Sequence, residues 1–258
     1  MNRFLRWGIL GTSPISATMA THSKSATHAK LVAVASRDKS KAEAFAKTHQ
    51  LERFYDSYDA LIAADEIDAV YIGLPNHLHY DWIVRAAHAG KHMICEKPLL
   101  LNRREAQVIR EVVAGRQVYC LEGLMYRCHP FLTRLREIIL SGTLGELRFF
   151  QGFYAADIVA LANSVAGGAI RNLGCYPLSL LQWLTAQSPI TSLTASGRLS
   201  PNHDADREAS IQLQFANQLS ASITVADDLP KYYQCAIYGT QGKLRSEEHT
   251  SELQSRSA

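Results

Sequence analysis

The sequence lacks the marks of membrane and exported proteins. Its 258 residues contain no apolar run near the roughly 20 residues that a membrane-spanning helix needs. The amino terminus, Met1 to Arg6, has no apolar stretch followed by a small-residue cleavage site, as a signal peptide would have. These absences predict a protein that stays in the cytoplasm and does not bind a membrane.

Cysteine is scarce, and its spacing shows no paired motif. There are five cysteines, an odd number, and no CxxC pair, so neither a disulfide framework nor a zinc site fits. We expect reduced, mostly buried thiols and no metal.

The sequence also lacks an excess of charge of one sign, because 27 Lys and Arg are balanced by 24 Asp and Glu, and no basic stripe is interleaved with aromatics. Nucleic acid is therefore not an expected partner. Hydrophobic residues make up 47% and charged residues 20%, which is typical of a globular protein.

The first half of the chain alternates short apolar runs with helical patterns. This alternation is typical of βαβ units and predicts a doubly wound (Rossmann) parallel sheet in a domain of residues 1–121. Asn102 and Glu105 have the spacing of a capping box. The predicted strands are 5–10, 31–36, 53–55, 68–73, 92–95 and 118–122, and the predicted helices are 15–24, 39–48, 58–64, 78–89 and 103–115.

The pattern changes after a further helix at 129–141. Longer alternating segments predict a second domain, residues 122–244, of α+β class with helices on one face of an open, mostly antiparallel sheet. Its predicted strands are 147–155, 190–199, 209–215 and 219–225, with one helix at 174–184 and a strand, a turn and the start of a strand within 236–244.

The last segment, residues 245–258, has no periodicity and resembles a translated sequencing adapter. We interpret it as an artefact; the alternative is a polar, disordered tail. On this interpretation the second domain is truncated and the natural protein continues beyond Leu244. The strand after the turn would then be missing, and the chain as given would be poorly soluble or inactive.

The turn from the first strand into the first helix lies where a dinucleotide fingerprint belongs. Gly11 fills the first place of G-x-G-x-x-G/A, whereas Ser13 and Ser16 stand at the second and third. A serine there can be accommodated if the phosphate sits slightly further out, and its hydroxyl then becomes a donor. The alternative is a plain strand-to-helix turn. The residues predicted to hold the pyrophosphate are Gly11, Thr12, Ser13, Pro14 and Ile15.

The end of the second strand favours NADP over NAD. An acidic residue there would bind the ribose 2′-hydroxyl of NAD, but the chain has Ser36 and Arg37, which suit a 2′-phosphate. The alternative for Arg37 is a solvated loop residue. Asp38 is interpreted as the N-cap of the next helix.

Two more strand ends carry polar groups at the ligand-binding edge of such a sheet. Strand four runs into Leu74-Pro75-Asn76-His77-Leu78-His79, and strand five into Glu96-Lys97-Pro98. Taken alone, Asn76 and His79 could be turn or capping residues, and Lys97 a salt-bridge partner.

Together these motifs resemble the glucose-fructose oxidoreductase and inositol dehydrogenase (Gfo/Idh/MocA) family. The hallmark is the E-K-P tripeptide at 96–98, and W-G-I-L-G-T at 7–12, A-S-R-D at 35–38, P-N-x-x-H at 75–79 and the crossover segment 122–130 agree with it. The resemblance covers residues 5–244 and is strongest to the branch of NADP-dependent D-xylose dehydrogenases and dimeric dihydrodiol dehydrogenases.

The resemblance implies roles for the residues at these strand ends. Lys97 would lie close to the nicotinamide ribose and the substrate hydroxyl, while Glu96 and Pro98 fix the backbone, with a cis peptide before Pro98. The other residues of the implied cofactor pocket are Leu74, Pro75, Asn76 and His79.

In the second domain, residues 167–177 match the family pattern G-G-x-x-x-D-x-G-x-[HY]. The resemblance implies that Tyr176 is the acid/base, and Asn172 replaces the family's aspartate and would position the substrate. Residues four apart share a helix face if the helix has already begun. An ammonium such as that of Lys97 would lower the pKa of the phenol. The alternative for Tyr176 is a packing aromatic.

The sequence therefore predicts an NADP-dependent oxidoreductase that moves hydride between the nicotinamide and a hydroxyl-bearing carbon of a sugar or polyol. The alternative is a nucleotide-binding sensor or scaffold without turnover, motivated by Ser13 and Asn172. When full length, the protein is expected to be a homo-oligomer.

Overall fold

The structure, a computed structural model, describes residues 4–185, 188–202 and 204–247. The chain divides into two compact units between Gly123 and Leu124.

The first unit contains a parallel sheet of six strands. The strands are β1 (Leu5–Leu10), β2 (Ala29–Ala35), β3 (Arg53–Tyr55), β4 (Ala69–Ile72), β5 (His92–Cys95) and β6 (Cys120–Glu122). Their order across the sheet is β3-β2-β1-β4-β5-β6. The strand order thus reverses between β1 and β4, which is the switch point where doubly wound sheets bind ligands. The prediction of a Rossmann sheet is confirmed.

Five helices cover both faces of this sheet. They are α1 (Pro14–His22), α2 (Lys39–His49), α3 (Tyr58–Ala63), α4 (His79–His88) and α5 (Arg103–Arg116). One core cluster joins Ile9 and Val34 to α1 and α2, and another joins Leu10 and Ile72 to α3, α4 and α5. All four residues of β4 are buried, which explains its uninterrupted apolar sequence.

Side-chain caps mark the start of α1, α2, α3 and α5, whereas α4 begins without one. The Asp38 carboxylate accepts the N–H groups of Ser40 and Lys41 at 3.0 and 3.2 Å, which confirms its prediction as an N-cap. Asn102 accepts the Glu105 N–H at 3.0 Å, as the capping-box spacing predicts. The Glu105 carboxylate, however, accepts the N–H of Leu101 at 2.9 Å, one residue before the cap amide.

The second unit contains a mixed sheet of six strands. They are β7 (Leu147–Ala155), β8 (Ile190–Leu199), β9 (Asp206–Phe215), β10 (Ser220–Ala226), β11 (Tyr232–Gly239) and β12 (Lys243–Glu247), in the order β12-β11-β7-β10-β9-β8. The pairs are antiparallel except β10 with β7, which is parallel. The prediction of a mostly antiparallel sheet is confirmed. The parallel pairing of β7 with β10 could not be predicted, because alternation reveals the buried face of a strand and not its direction.

Two helices, α6 (Pro130–Leu140) and α7 (Cys175–Leu184), lie with the core on one face of this sheet. Phe150, Ile223 and Ile237 are among the residues buried there. The opposite face carries polar and aromatic side chains, including the ring pairs Phe149–Tyr238 and Phe153–Tyr232 at 6.1 and 6.0 Å.

Strand β12 corrects one expectation about the end of the chain. Leu244 and Arg245 pair with Ile237 and Ala236 of β11, and the pairing extends to Glu247. The strand after the turn is therefore present, although its last three residues were assigned to the tail. Ladder pairing uses backbone groups and needs no apolar period. The Leu244 side chain packs on the core. Residues 248–258 of the expected tail lie outside the described residues.

The five cysteines differ in exposure. Cys95 is buried, Cys128 is exposed, and Cys120, Cys175 and Cys235 are half-buried. Burial raises the pKa of Cys95, and it raises the pKa of Cys120 to about 11 and that of Cys235 to about 12. Within the described residues, no helix is long and apolar enough to cross a membrane.

Thiol labelling tests this arrangement. Because the thiolate is the reactive form, we expect a disulfide reagent at neutral pH to label Cys128 well before Cys95 in the native protein. Cys128→Ser removes the fast phase, and mass spectrometry of labelled peptides identifies each site. A fast phase that persists in Cys128→Ser would contradict the prediction.

Candidate active site

The turn between β1 and α1 forms a backbone cradle at Gly11. Gly11 has φ +97°, and its N–H donates to the Ala35 carbonyl at 2.9 Å. A Cβ there would lie 2.9 Å from Leu74 Cδ2 and 3.1 Å from the Gly73 carbonyl oxygen. Only glycine combines this φ with so close an approach. The cradle fits the first glycine of the dinucleotide fingerprint.

Ser13 and Ser16 form a closed hydrogen-bond group with Gly73. The Ser13 hydroxyl donates to the Gly73 carbonyl at 3.0 Å and accepts the Ser16 N–H at 3.3 Å as the N-cap of α1. The Ser13 hydroxyl therefore donates its proton within the turn, whereas the sequence predicts that it donates to a phosphate. Ser16 is fully buried, and a Cβ at Gly73 would lie 2.4 Å from its Oγ. Gly73 therefore supplies the space that the third fingerprint glycine usually provides, although it lies outside the fingerprint and no motif points to it.

Gly73→Ala tests whether Gly73 provides the space that the Ser16 side chain needs. Overpacking costs about 1–3 kcal/mol, so we expect a lower free energy of unfolding by denaturant and weaker cofactor binding. Adding Ser16→Gly should restore part of the loss. The recovery is partial because the Cβ would also lie 2.9 Å from the Tyr71 ring.

Gly115→Ala is the control, since a Cβ there meets nothing within 4 Å. A Gly73→Ala protein as stable as the wild type, or one that Ser16→Gly does not improve, would refute the compensation.

The loop after β2 places Ser36 and Arg37 beside this turn, because Gly11 is bonded to Ala35. Ser36 is buried, its N–H donates to the Tyr55 carbonyl at 3.2 Å, and its hydroxyl accepts the Asp38 N–H at 3.2 Å. Arg37 is exposed and forms no ion pair within the described part of the chain. Its guanidinium is not committed to another charged residue there.

His79 joins the two loops that follow β4 and β5. Leu74 and Asn76 are buried, Pro75 is exposed, and a short 3₁₀ turn leads into α4. The His79 ring has no exposed surface; its Nδ1 lies 2.9 Å from the Pro98 carbonyl and its Nε2 lies 2.9 Å from the Leu74 carbonyl. Burial lowers the pKa of His79. A neutral imidazole donates to one of these carbonyls at a time. The buried His79 ring therefore links the loop after β4 to the loop after β5.

The loop that carries Lys97 is held by two carboxylates. The Glu96 carboxylate is buried and accepts the Tyr71 hydroxyl at 2.5 Å and the Lys97 N–H at 3.3 Å. Burial, together with the bond to Glu96, raises the pKa of Tyr71, so this phenol remains a donor. The Glu122 carboxylate accepts the Leu99 N–H at 3.0 Å. The Lys97–Pro98 peptide is cis, as the resemblance implied.

Tyr71 and Glu122 are further residues of the candidate site, and the sequence does not predict a role for either. A hydroxyl-bearing residue within the fully buried strand β4 is the signal that points to Tyr71. Glu122 stood in a quoted motif, but its partner, the Leu99 N–H, lies 23 residues away and leaves no local signal.

In the second unit, Asp206 fixes the loop before Asn172. Its carboxylate accepts the N–H groups of Gly168 and Ile170 at 3.2 and 2.6 Å. A Cβ at Gly168 would lie 1.8 Å from the Asp206 carbonyl, so glycine is required there. Asn172 is buried in a π-helical turn, Ile170–Gly174, that precedes α7. Turns of this kind occur frequently at functional sites.

Tyr176 lies in the first turn of α7 and is half-buried. Its ring stacks on Tyr154 of β7, with centroids 5.1 Å apart and an 11° interplanar angle. Tyr154 stacks in turn on Tyr233 of β11 at 5.5 Å and 8°. Tyr176 thus packs on the sheet, as the alternative interpretation expects, and this stack also fixes the plane of its phenol.

Each unit therefore gathers its own share of the predicted site. The first places the Gly11 turn, Arg37, Asn76 and Lys97 at the carboxyl ends of its parallel strands. The second places Asn172 and Tyr176 on the π-helical turn and the helix that follows it. In the described residues, no three His, Cys, Asp or Glu side chains group as a metal site.

Comparison with known proteins agrees with this division. A family model described as an oxidoreductase family with an NAD-binding Rossmann fold matches residues 5–124, and one for the GFO/IDH/MocA C-terminal domain matches residues 132–245. An uncharacterized oxidoreductase of Rhizobium meliloti, ORF334, is 38% identical over 93% of this chain and 73% of its own length.

A second relative and a solved structure extend the match. The D-xylose 1-dehydrogenase (NADP(+)) 2 of Haloferax volcanii is 31% identical over 94% of this chain and 75% of its own length. The crystal structure of KijD10, a 3-ketoreductase from Actinomadura kijaniata in complex with NADP, superposes with a TM-score of 0.84 at 25% identity, covering 95% of this chain and 76% of that chain. With both halves matched in order, the chain belongs to the GFO/IDH/MocA family of oxidoreductases.

Proposed function

We propose that this protein is an NADP-dependent oxidoreductase that moves hydride between the nicotinamide and a hydroxyl-bearing carbon of a sugar or polyol. The observation that carries the proposal is the position of Lys97. It lies on a loop held by carboxylates at the carboxyl edge of a Rossmann sheet, where such sheets bind their ligands.

The residues of the first unit fit a dinucleotide. The Gly11 cradle, which a Cβ would fill, and the amino end of α1 would hold the pyrophosphate. Arg37 would pair with a 2′-phosphate, and Leu74, Pro75 and Asn76 would lie beside the nicotinamide half. When bound, the cofactor supplies the hydride acceptor or donor.

The chain's own residues handle the proton and the substrate. Tyr176 takes the hydroxyl proton as a phenolate, and the phenol that results returns the proton in the reducing direction. Lys97 orients the substrate oxygen and stabilises the negative charge that develops on it. Asn172 positions a hydroxyl of the substrate. A sugar or polyol is favoured because the Haloferax relative is a D-xylose dehydrogenase.

Two optical measurements test the function. Quenching or enhancement of NADPH fluorescence reports cofactor binding, and absorbance at the nicotinamide band reports turnover with a panel of sugars and polyols. Sugar-dependent absorbance change supports the enzyme. Cofactor binding without turnover across the panel, in both directions, would instead support a nucleotide-binding sensor or scaffold.

The open face of the second sheet supports a homo-oligomer as a further part of the proposal. It carries the ring pairs Phe149–Tyr238 and Phe153–Tyr232, which are half-buried in a single chain. Burying them against a second copy would stabilise the assembly. We expect Phe153→Asp to reduce the molar mass measured by light scattering. Gln212→Ala, which shortens an exposed polar side chain, is a mild control. An unchanged mass in Phe153→Asp would argue against this face.

A further inference from the structure

Three consecutive residues at Lys97 are held through their backbone by three side chains. The Lys97 N–H donates to Glu96, the Pro98 carbonyl lies 2.9 Å from the His79 ring, and the Leu99 N–H donates to Glu122 at 3.0 Å. These partners come from the loop itself, from α4 and from β6. The loop is therefore fixed from several directions rather than by one contact.

Glu122 holds the far side of this loop. It ends β6, where it pairs with Cys95, and the next residue, Gly123, donates its N–H to the Cys95 carbonyl at 2.7 Å. A Cβ at Gly123 would lie 3.2 Å from that carbonyl and 3.3 Å from Glu96 Oε1. The end of β6 is thus packed tightly against the start of the lysine loop, and the Glu122 carboxylate extends across to Leu99.

We propose that Glu122 is a positioning residue for Lys97 and acts through the Leu99 N–H. The inference rests on the proposed catalytic role of Lys97. The lysine side chain is long and flexible, so the region that the Lys97 ammonium can reach depends on where the loop holds the Lys97 Cα. A carboxylate is a strong acceptor for a backbone N–H, and losing it frees the loop two residues after Lys97. A small misplacement of a catalytic group is enough to lower the rate.

Two variants at Glu122 and one at Glu105 separate positioning from general stability. Glu122→Ala removes the acceptor, whereas Glu122→Gln keeps a side-chain oxygen for the Leu99 N–H. Glu105→Ala is the matched control, because the Glu105 carboxylate accepts the Leu101 N–H at 2.9 Å, in the same loop but further from Lys97. The measurements are amide hydrogen exchange at Leu99 and Leu101, kcat, KM for the sugar, and NADPH affinity by fluorescence.

We expect Glu122→Ala to speed exchange at Leu99 and to lower kcat by roughly tenfold, with KM and NADPH affinity changed by less than about twofold. Glu122→Gln should recover most of kcat. Glu105→Ala should speed exchange at Leu101 and leave kcat at the wild-type value.

Three results would overturn the inference: an active enzyme in which Glu122→Ala keeps its kcat, an equal fall of kcat in Glu105→Ala, or unchanged exchange at Leu99 in Glu122→Ala. If the wild type turns over no sugar or polyol, the proposed function fails instead. Exchange at Leu99 then decides by itself whether Glu122 holds the loop.

Discussion

Lys97→Ala and Tyr176→Phe each lower kcat by roughly 10²-fold or more, the range expected for a positioned proton-transfer group and its electrostatic partner. Tyr176→Phe keeps the ring stacked on Tyr154 and removes only the hydroxyl. Lys97→Ala removes the ammonium and leaves the backbone bonds of its loop in place. Cofactor affinity should change little in either variant. Steady-state kinetics and NADPH fluorescence titration measure the two effects separately.

Tyr233→Phe is the matched control for the tyrosine. It removes a hydroxyl from the same ring stack at a position without a proposed role in the chemistry, so its kcat should equal that of the wild type. If Tyr176→Phe keeps near wild-type turnover, Tyr176 is a packing residue and the base lies elsewhere. A loss of kcat in Tyr233→Phe as large as that in Tyr176→Phe would attribute the effect to the stack.

Asn172→Asp is an informative companion to these variants. Asn172 is buried, and its amide donates to the Gly167 carbonyl at 3.5 Å, a bond that an ionised aspartate cannot make. The aspartate would instead bring a negative charge, as the family pattern has. Raised activity would mean that asparagine detunes the natural enzyme. Lowered activity would mean that Asn172 is fitted to its own substrate.

The first unit follows its sequence closely because its signals are local. Alternation of short apolar runs with capped helices fixes the elements, and caps such as Asp38 and Asn102 form within a few residues of the chain. The second sheet was less predictable. Its parallel pairing of β7 with β10 and the extension of β12 past Leu244 depend on backbone partners far away in sequence.

The candidate site, too, could be predicted from the sequence only where its signals are local. Motifs selected Gly11 and Lys97 correctly as residues at the strand ends, but they missed Tyr71, Gly73 and Glu122, whose partners lie between 23 and 60 residues away. Ser13 is the clearest case. By position Ser13 replaces a fingerprint glycine, but its hydroxyl donates to the Gly73 carbonyl. This role becomes visible only in the structure, where the end of β4 lies beside the turn.

Arg37→Ala should erode a preference for NADPH over NADH by about 1–3 kcal/mol, the range of a charge-assisted contact. Arg37 is exposed, forms no ion pair within the described residues, and follows the β2 end that is bonded to the Gly11 turn. Its guanidinium can therefore turn to a 2′-phosphate without breaking another ion pair there. NADH lacks that phosphate, so its affinity should stay nearly unchanged.

Fluorescence titrations of both cofactors against three variants test this preference. Arg37→Lys keeps the charge but loses the planar fork, so it should retain part of the preference. Lys47→Ala removes an exposed cation from the far end of α2 and should leave both affinities unchanged. Rising salt should weaken NADPH binding more than NADH binding in the wild type, and this difference should shrink in Arg37→Ala because its source is the charge. Equal affinity of the wild type for the two cofactors would contradict the prediction and assign Arg37 to the solvated surface.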